Sequence, residues 1–282
     1  MLEAGVLTLA ATPIGNPLDA SVRLRRALGE ADLIAAEDTR RLARLAADLE
    51  VEVTGSVLAY HEHNEHERTA TLIDAVRAGQ RVLLVTDAGM PAVNDPGFRA
   101  VRAAIDADLP LTVIPGPSAV LTALATSGLA PDRFVFEGFV PRKDGQRRHL
   151  FEDLARERRT LVFFDSPRRT AASLELMAEV FGEDRPAALA RELTKTHEEV
   201  LRGTLGELAR RTAAVEVLGE VVLLVGGADT VAADPEELLT AVLQRTEAGE
   251  RMKDAAKAVA AQAPGISARD LYDRALAARH TT

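Results

Sequence analysis

Leu83–Gly97 reads LLVTDAGMPAVNDPG. The stretch starts as a short apolar run, which is typical of a buried strand, and then breaks into Asp, Gly and Pro. Its two glycines let the backbone approach a ligand closely, and its two prolines stiffen the loop. Because α/β proteins usually bind ligands at the carboxyl ends of their strands, we interpret the stretch as a strand followed by a binding loop. The alternative is an ordinary strand-to-helix turn.

Short apolar runs alternate with helical patterns through residues 1–117. Such alternation indicates a parallel sheet with helices on its faces. Besides the strand at Leu83, we predict strands at Val6–Ala11, Leu33–Ala36, Val57–Tyr60 and Leu111–Ile114. The loops after these strands then line one crevice, and they begin at Pro13, Asp38, His61, Asp87 and Pro115.

The second half of the chain has a different pattern. Apolar or alternating runs predict strands at Phe134–Phe139, Leu161–Phe164, Ala187–Glu192 and Val221–Gly227. They indicate a second α/β domain with a mixed sheet. We therefore expect an α/β fold of two domains, at residues 1–117 and 118–230.

The end of the chain resembles a small helix-turn-helix. We predict helices at Met252–Ala261 and Ala268–Ala278, with Ser267 capping the second helix. The segment Gly226–Pro235 has the Gly, Ala, Asp and Pro composition of a linker. Residues 236–282 are therefore expected to form a helical tail.

The composition limits the function. The 282 residues include no Cys, which excludes disulfides and thiolate metal sites. No apolar run approaches the ~20 residues of a membrane span, and the first residues lack the basic region of a signal peptide, so we expect a soluble, cytoplasmic protein with no membrane partner.

The charge is unevenly distributed. A net charge of −9 argues against a nucleic-acid partner. However, residues 142–159 carry seven Lys or Arg against four Asp or Glu, and residues 251–282 carry six against three. Two basic segments within an acidic chain suggest local contact with an anion.

Common nucleotide-binding and metal-binding motifs are absent from the sequence. No G-x-G-x-x-G follows the first predicted strand and no P-loop is present, which disfavours a conventional NAD or ATP site and the usual Rossmann-type methyltransferase. The segment His61–His66 lacks the H-E-x-x-H spacing of a zinc helix, and we predict no metal site. This segment is either a polar surface loop or an active-site loop.

Two further polar clusters have both a structural and a functional interpretation. Glu37–Arg40 follows a predicted strand, where its acids would also suit a helix N-terminus. Pro141–His149 is a basic loop, which we interpret as a phosphate contact rather than as solvated surface.

Six motifs in a fixed order carry a specific resemblance. They are ATPIGN at Ala11–Asn16, AEDTR at Ala36–Arg40, YHEHNE at Tyr60–Glu65, TDAGMP and DPG within Thr86–Gly97, PGPSA at Pro115–Ala119, and GFVPRK at Gly138–Lys143. This ordered set resembles the ribosomal RNA small-subunit methyltransferase I family over almost the whole chain. The sequence departs from the family pattern at Met90, where a Thr is expected, and at Asp165–Arg169, where the family more often reads EAPHR.

The resemblance implies a tetrapyrrole-methylase fold, which binds S-adenosylmethionine in the cleft between its two domains without a G-x-G-x-x-G turn. The family methylates the 2′-oxygen of a cytidine (cytidine 1402) in 16S rRNA of the 30S subunit, and its members form homodimers. The cofactor-binding residues that the resemblance implies are Pro13, Ile14, Asp87, Ala88, Gly89, Pro91, Val93, Ser118, Ala119, Phe164 and Ala190.

The implied reaction needs a group that accepts the proton of a ribose hydroxyl, and a general base accelerates such a step by ~10²–10⁴-fold. Candidates on the crevice loops are Glu37, Asp38, His61 and Lys143, of which we select Asp38 and Lys143. Lys143 is also a candidate for binding a substrate phosphate. The expected RNA-binding residues are Arg40, His61, Arg142, Lys143, Arg147 and Arg148, and the tail would add a second contact.

Two other functions compete with this interpretation. One is a methylase of the same fold that acts on a corrin or porphyrin precursor, a small acidic substrate that needs neither the basic loop nor the tail. The other is a non-catalytic ribosome-binding protein, which would not need the cofactor-type loops.

Overall fold

The computed structural model describes residues 2–228, 235–262 and 266–280. The chain forms two compact units, Met1–Gly227 and Ala228–Thr282. The first unit contains both sheets. The predicted linker Gly226–Pro235 spans the boundary, and its residues 229–234 lie outside the described residues.

The first sheet is fully parallel, as predicted, with the order β3-β2-β4-β1-β5. Its strands are β1 Val6–Ala10, β2 Leu33–Ala36, β3 Ser56–Ala59, β4 Arg81–Val85 and β5 Leu111–Ile114. Because all five strands run in one direction, their carboxyl ends meet at one edge of the sheet. The loop that follows Leu83–Val85 therefore starts near the centre of this edge.

Helices cover both faces of the first sheet. Helices α1 Val22–Glu30 and α2 Thr39–Asp48 lie on one face, α3 Glu65–Arg77 and α4 Phe98–Asp106 lie on the other, and a short 3₁₀ helix at Pro17–Asp19 precedes α1. Strand β4 shows the alternation that this layering needs. Leu84 packs with α3 and α4, while Leu83 and Val85 pack with α1 and α2.

The second sheet is mixed, as predicted, with the order β6-β7-β10-β8-β9. Its strands are β6 Phe134–Phe139, β7 Thr160–Asp165, β8 Pro186–Arg191, β9 Glu199–Thr204 and β10 Val221–Val225. Strands β6 and β7 are parallel, while β10 is antiparallel to both β7 and β8. Strand β9 is not predicted from the sequence, because a half-exposed edge strand has no continuous apolar run.

Helix α5 Ala119–Ser127 lies on one face of the second sheet, and α6 Asp144–Leu154, α7 Thr170–Phe181 and α8 Leu205–Ala214 lie on the other. The prediction that Pro141–His149 is a loop is therefore wrong from Asp144 onward. Arg147 and Phe151 are one turn apart and both are buried, so packing on the sheet stabilises a helix that the polar sequence does not reveal. Helix α3 begins at Glu65, which places His66 of the predicted loop segment His61–His66 on a helix.

The tail forms its own helical unit. Helices α9 Pro235–Glu247, α10 Met252–Gln262 and α11 Ala268–His280 share a small core of Val242, Ala255, Ala256, Val259, Leu271 and Ala275. The predicted cap is confirmed, because the Asp270 N–H donates to Ser267 Oγ at 3.0 Å. Residues 263–265 of the predicted turn lie outside the described residues. Among the helices within the described ranges, none has the length and apolarity that crossing a membrane requires.

Candidate functional site

A cavity of about 440 Å³ opens between the two sheets, at the carboxyl ends of β1, β2 and β4. Its volume suits a small-molecule ligand. Most of the residues predicted to bind a cofactor line it: Ile14, Asp87, Ala88, Gly89, Val93, Ser118, Ala119 and Phe164. The loop after β4 thus supplies the central wall of the cavity with residues 87–90 and 93–95.

Three predicted cofactor residues are not among those that line the cavity. Pro13 is buried and lines a neighbouring recess of about 50 Å³ together with Asp38. Pro91 is buried within the loop after β4. Ala190 is buried in β8, where it pairs with Val222, and the cavity is lined by Val222 instead.

The second sheet contributes lining residues that were not predicted from the sequence. Gly219–Val222 line the cavity at the amino end of β10, which faces it because β10 runs antiparallel to β7. The prediction from the sequence considered only loops at the carboxyl ends of strands, so it missed these residues. Other lining residues that were not selected are Glu37, Arg41, Met90, Asn94, Asp95, Val120, Phe139, Asp165, Ser166 and Pro167.

Backbone hydrogen bonds join the two central loops of the first sheet. The Thr12 N–H donates to the Gly89 carbonyl at 2.9 Å, and the Gly89 N–H donates to the Thr12 carbonyl at 3.1 Å. The Thr12 hydroxyl also donates to the Thr86 carbonyl at 3.0 Å. Gly89 has a φ of +79°, a conformation that favours glycine. The loops after β1 and β4 are therefore held together beneath the cavity.

The rest of the β4 loop has an unusual backbone. Ala92 and Asn94 have φ values of 69° and 61°, and Gly97 has a φ of 137°. The Asn94 side chain packs against Gly138 of β6, where a Cβ atom would lie 2.9 Å from the Asn94 amide. The loop that begins in the first sheet is thereby anchored on the second, and Asp95 follows directly after the anchor.

Three carboxylates meet in this wall of the cavity. Asp87 Oδ1 accepts from the Asp38 N–H at 3.0 Å, and its Oδ2 lies 3.4 Å from Arg41 Nε. Glu37 Oε2 accepts from the Asp87 N–H at 3.3 Å. Within the described residues, Asp95 forms neither a hydrogen bond nor an ion pair with its side chain.

Burial makes these carboxylates weaker acids than usual. It raises the pKa of both Glu37 and Asp87 above their ordinary values. Burial, together with the nearby charges of Glu37 and Asp87, raises the pKa of Asp95 to about 7. Asp95 therefore changes its charge near neutral pH.

The selected base Asp38 lies outside the main cavity. Its Oδ1 accepts from the Arg40 N–H at 2.8 Å and so caps α2, and its Oδ2 lies 2.9 Å from Arg40 Nη2. These hydrogen bonds from Arg40 lower the pKa of Asp38 to about 2. A carboxylate with this pKa is a poor proton acceptor, and Arg40 is occupied by the same pairing.

His61 participates in the turn that starts α3. Its N–H donates to Asn64 Oδ1 at 2.9 Å, and its Nε2 lies 3.2 Å from Asn64 Nδ2. His61 is not among the residues that line the cavity. The described part of the chain contains no group of three His, Cys, Asp or Glu side chains placed to hold a metal ion.

The predicted basic residues fall into two pairs. Arg142 and Lys143 are exposed just after β6, and within the described residues neither forms an ion pair. Arg147 is buried and its Nη2 donates to Asp144 Oδ1 at 2.7 Å. Both terminal nitrogens of Arg148 donate to Glu179 at 2.9 Å. Only the first pair is therefore available to an external anion in this conformation.

Two aromatic rings and a buried acid complete the second-sheet side of the cavity. The rings of Phe139 and Phe164 meet edge to face, with centroids 5.3 Å apart. The Asp165 side chain is fully buried, and its Oδ2 has no hydrogen-bond partner in the protein. The rings therefore give the second-sheet side of the cavity an apolar surface.

The raised pKa of Asp95 predicts a pH-dependent stability. The folded state keeps the Asp95 proton up to about pH 7, whereas the unfolded chain releases it near its ordinary pKa of 3.8, so folding stability falls between these values as the pH rises. Relative to the wild type, Asp95→Asn should gain about 1 kcal/mol of unfolding free energy between pH 5 and pH 8, after allowance for solvent screening. Denaturant titrations at both pH values measure this gain. Asp74→Asn, at an exposed carboxylate on α3, is the matched control, and an equal gain in both variants contradicts the assignment.

The chain has relatives of known name along its whole length. The family model for tetrapyrrole (corrin/porphyrin) methylases matches residues 6–209. The protein named ribosomal RNA small subunit methyltransferase I of Mycobacterium tuberculosis is 50% identical over 281 residues, which cover 100% of this chain and 98% of the relative. The protein of the same name from Mesorhizobium japonicum is 44% identical over 277 residues, which cover 98% and 93% of the two chains.

Solved structures share the fold at lower sequence identity. A uroporphyrin-III-C-methyltransferase from Thermus thermophilus has a TM-score of 0.57 and 22% identity, and covers 79% of this chain and 95% of its own. Cobalt precorrin-4 methyltransferase has a TM-score of 0.58 with the same identity and coverage. The similarity to these structures confirms the predicted fold class. The sequence identity of 50% and 44% to the two relatives, over nearly the full length of both chains, shows the narrower family. The chain belongs to the ribosomal RNA small subunit methyltransferase I family, within the tetrapyrrole methylases.

Proposed function

We propose that this chain is an S-adenosylmethionine-dependent methyltransferase that modifies the 2′-oxygen of a cytidine, cytidine 1402, in 16S rRNA of the 30S subunit. The observation that carries the proposal is the acidic and aromatic cavity at the joined ends of β1 and β4, in a chain with full-length relatives named rRNA methyltransferases. The proposed place of action is the cytoplasm.

The cavity suits a cationic cofactor with an aromatic group. When bound, S-adenosylmethionine supplies a methyl group on a sulfonium, which its positive charge already activates as an electrophile. The carboxylates of Glu37, Asp87 and Asp95 complement a cation. The rings of Phe139 and Phe164 offer an apolar surface to a base or a sulfonium.

The protein mainly supplies alignment for this reaction. Residues from both sheets surround the cavity, so a bound ligand is held in one orientation and partly shielded from water. We assign cofactor contacts to the predicted residues that line the cavity, and no direct contact to Pro13, Pro91 and Ala190, which do not line it.

RNA contacts are assigned to the basic residues near the cavity. Arg142 and Lys143 follow Phe139, which lines the cavity, by only a few residues, and their charges are available to phosphates. Arg40 and His61 lie at the same edge of the first sheet as secondary candidates, with the charge of Arg40 already balanced by Asp38. Arg147 and Arg148 have internal partners and are left out of the proposed contact.

The tail and a second copy of the chain complete the proposal. The compact tail, whose helices α10 and α11 carry most of its Lys and Arg residues, is assigned a second RNA contact. Homodimer formation is supported by the open edge strand β5, where the apolar Leu111 and Val113 are 41% and 43% exposed.

The substrate class is tested directly with labelled cofactor. The protein is incubated with S-adenosylmethionine labelled in its methyl group and with 30S subunits, free 16S rRNA or uroporphyrinogen. Label on a cytidine 2′-oxygen of rRNA is expected, with 30S subunits as the preferred form. Label in the porphyrin precursor would assign the chain to the tetrapyrrole chemistry of its fold neighbours, and no label in any substrate would overturn methyl transfer.

Asp87→Ala should weaken S-adenosylmethionine binding by about 100-fold or more. The change removes one cavity charge and also the acceptor that holds the Asp38 N–H and Arg41. Isothermal titration calorimetry measures the dissociation constant. Asp106→Ala, at an exposed carboxylate on α4, should bind like the wild type, and an unchanged affinity of Asp87→Ala would refute the location of the site.

The double variant Arg142→Ala/Lys143→Ala should weaken RNA binding and leave cofactor affinity unchanged. Losing two phosphate contacts should also reduce the slope of log affinity against log salt by about 1 to 2. Arg156→Ala/Arg158→Ala is the matched control, because this exposed pair lies before β7, at the opposite end of the strand from the cavity. Equal losses in both double variants would indicate a nonspecific charge effect. Deleting residues 236–282 tests the tail contact in the same assay.

A further inference from the structure

Asp95 differs from every other carboxylate in the cavity wall. Asp87 accepts a backbone hydrogen bond and faces Arg41, and Glu37 accepts from the Asp87 N–H. Asp165 accepts from the Ser166 N–H at 2.7 Å. Within the described residues, the Asp95 side chain has no such partner, although it lines the cavity and is partly buried. Within the described residues, no protein group therefore competes with a ligand for the Asp95 carboxylate.

The backbone holds Asp95 in place from both sides. Before it, Asn94 adopts a left-handed conformation and packs on Gly138 of the second sheet. After it, Gly97 approaches the first sheet so closely that a Cβ atom would lie 3.0 Å from Leu84 Cδ2. These contacts hold the backbone on both sides of Asp95 against the two sheets.

The electrostatic surroundings of Asp95 are predominantly acidic. The charged groups that line the cavity with it are Glu37 after β2, Arg41 on α2, Asp87 after β4, Asp165 at the end of β7, and Glu220 before β10. Burial and the charges of Glu37 and Asp87 raise the pKa of Asp95 to about 7. A general base works best when its pKa lies near the working pH.

We infer that Asp95 is the general base that takes the proton from the ribose 2′-hydroxyl of the substrate. This role presupposes the proposed function. As the 2′-oxygen forms its bond to the methyl carbon, the carbon–sulfur bond breaks and its electron pair stays on sulfur, which leaves a neutral thioether. The hydroxyl proton passes to the Asp95 carboxylate and later to water.

Asp95 takes the place of Asp38, the base expected from the sequence. Asp38 is fixed by its hydrogen bonds to Arg40 and lines the neighbouring recess instead of the cavity. His61 and Lys143 are absent from the cavity lining. Among the original candidates only Glu37 lines the cavity, and one of its oxygens already accepts from the Asp87 N–H.

Kinetics of Asp95 variants test the role. At saturating S-adenosylmethionine and with 30S subunits, Asp95→Asn should lower the single-turnover rate by ~10²–10⁴-fold. Asp95→Glu, which keeps a carboxylate, should react at least tenfold faster than Asp95→Asn. Asp74→Asn should have the same rate as the wild type. The wild-type rate should rise with pH to a plateau, and this inflection should disappear in Asp95→Asn. A rate for Asp95→Asn within threefold of the wild type, or a persistent inflection, would overturn the inference.

A binding measurement provides a readout that does not depend on activity. Near pH 7, a bound sulfonium should drive the proton off Asp95, because an adjacent cation favours the ionised carboxylate. Calorimetry in buffers of different ionisation enthalpy should therefore detect proton release on binding S-adenosylmethionine, less release with the neutral S-adenosylhomocysteine, and no difference between the two ligands in Asp95→Asn. An equal difference in wild type and variant would overturn the inference. A wild type that labels no RNA would instead overturn the proposed function, so the two failures are distinguishable.

Discussion

The paired backbone hydrogen bonds between Thr12 and Gly89 are the constraint on which the cavity depends. Parallel strands bring the ends of β1 and β4 side by side, but two long loops that leave a sheet at neighbouring points have many possible paths. The two hydrogen bonds, with the one from the Thr12 hydroxyl, leave a single arrangement. Because backbone groups join the two loops, the side chains of Ile14 and Asp87 are not needed for this contact and line the cavity.

The strands of the first sheet could be predicted well from the sequence, because each is a short apolar run that is recognisable without knowledge of distant residues. Apolar runs such as Leu33–Ala36 are bounded by polar residues, and a parallel sheet brings the following loops to one edge. The resemblance to the family implies that Asp87, Gly89 and Ser118 bind the cofactor, and all three line the cavity. These residues lie within a few positions of a recognisable strand or helix terminus.

What the sequence could not reveal depends on contacts between distant segments. Glu220 reaches the cavity only because β10 runs antiparallel to its neighbours. Arg147 is indistinguishable in sequence from an exposed arginine, yet helix packing buries it. The sequence suggests Asp38 as a base, but in the structure its carboxylate accepts hydrogen bonds from Arg40, two residues later. The pKa of Asp95 is raised by burial and by the charges of Glu37 and Asp87, and Glu37 lies on another loop, whose position no local pattern encodes.

The clustering of Glu37, Asp87 and Asp95 has a consequence for the energetics of the proposed step. Collecting like charges costs stability, and a bound cation offsets that cost. In the proposed step the cofactor loses its positive charge while Asp95 gains a proton, so the total charge enclosed by the cavity is the same before and after transfer. The positive charge of the cofactor and the negative charge of Asp95 are neutralised together, so the step creates no new net charge within the cavity. The neutral product then faces a wall with one negative charge fewer, and when water takes the Asp95 proton the full negative charge returns, ready to attract the next cation.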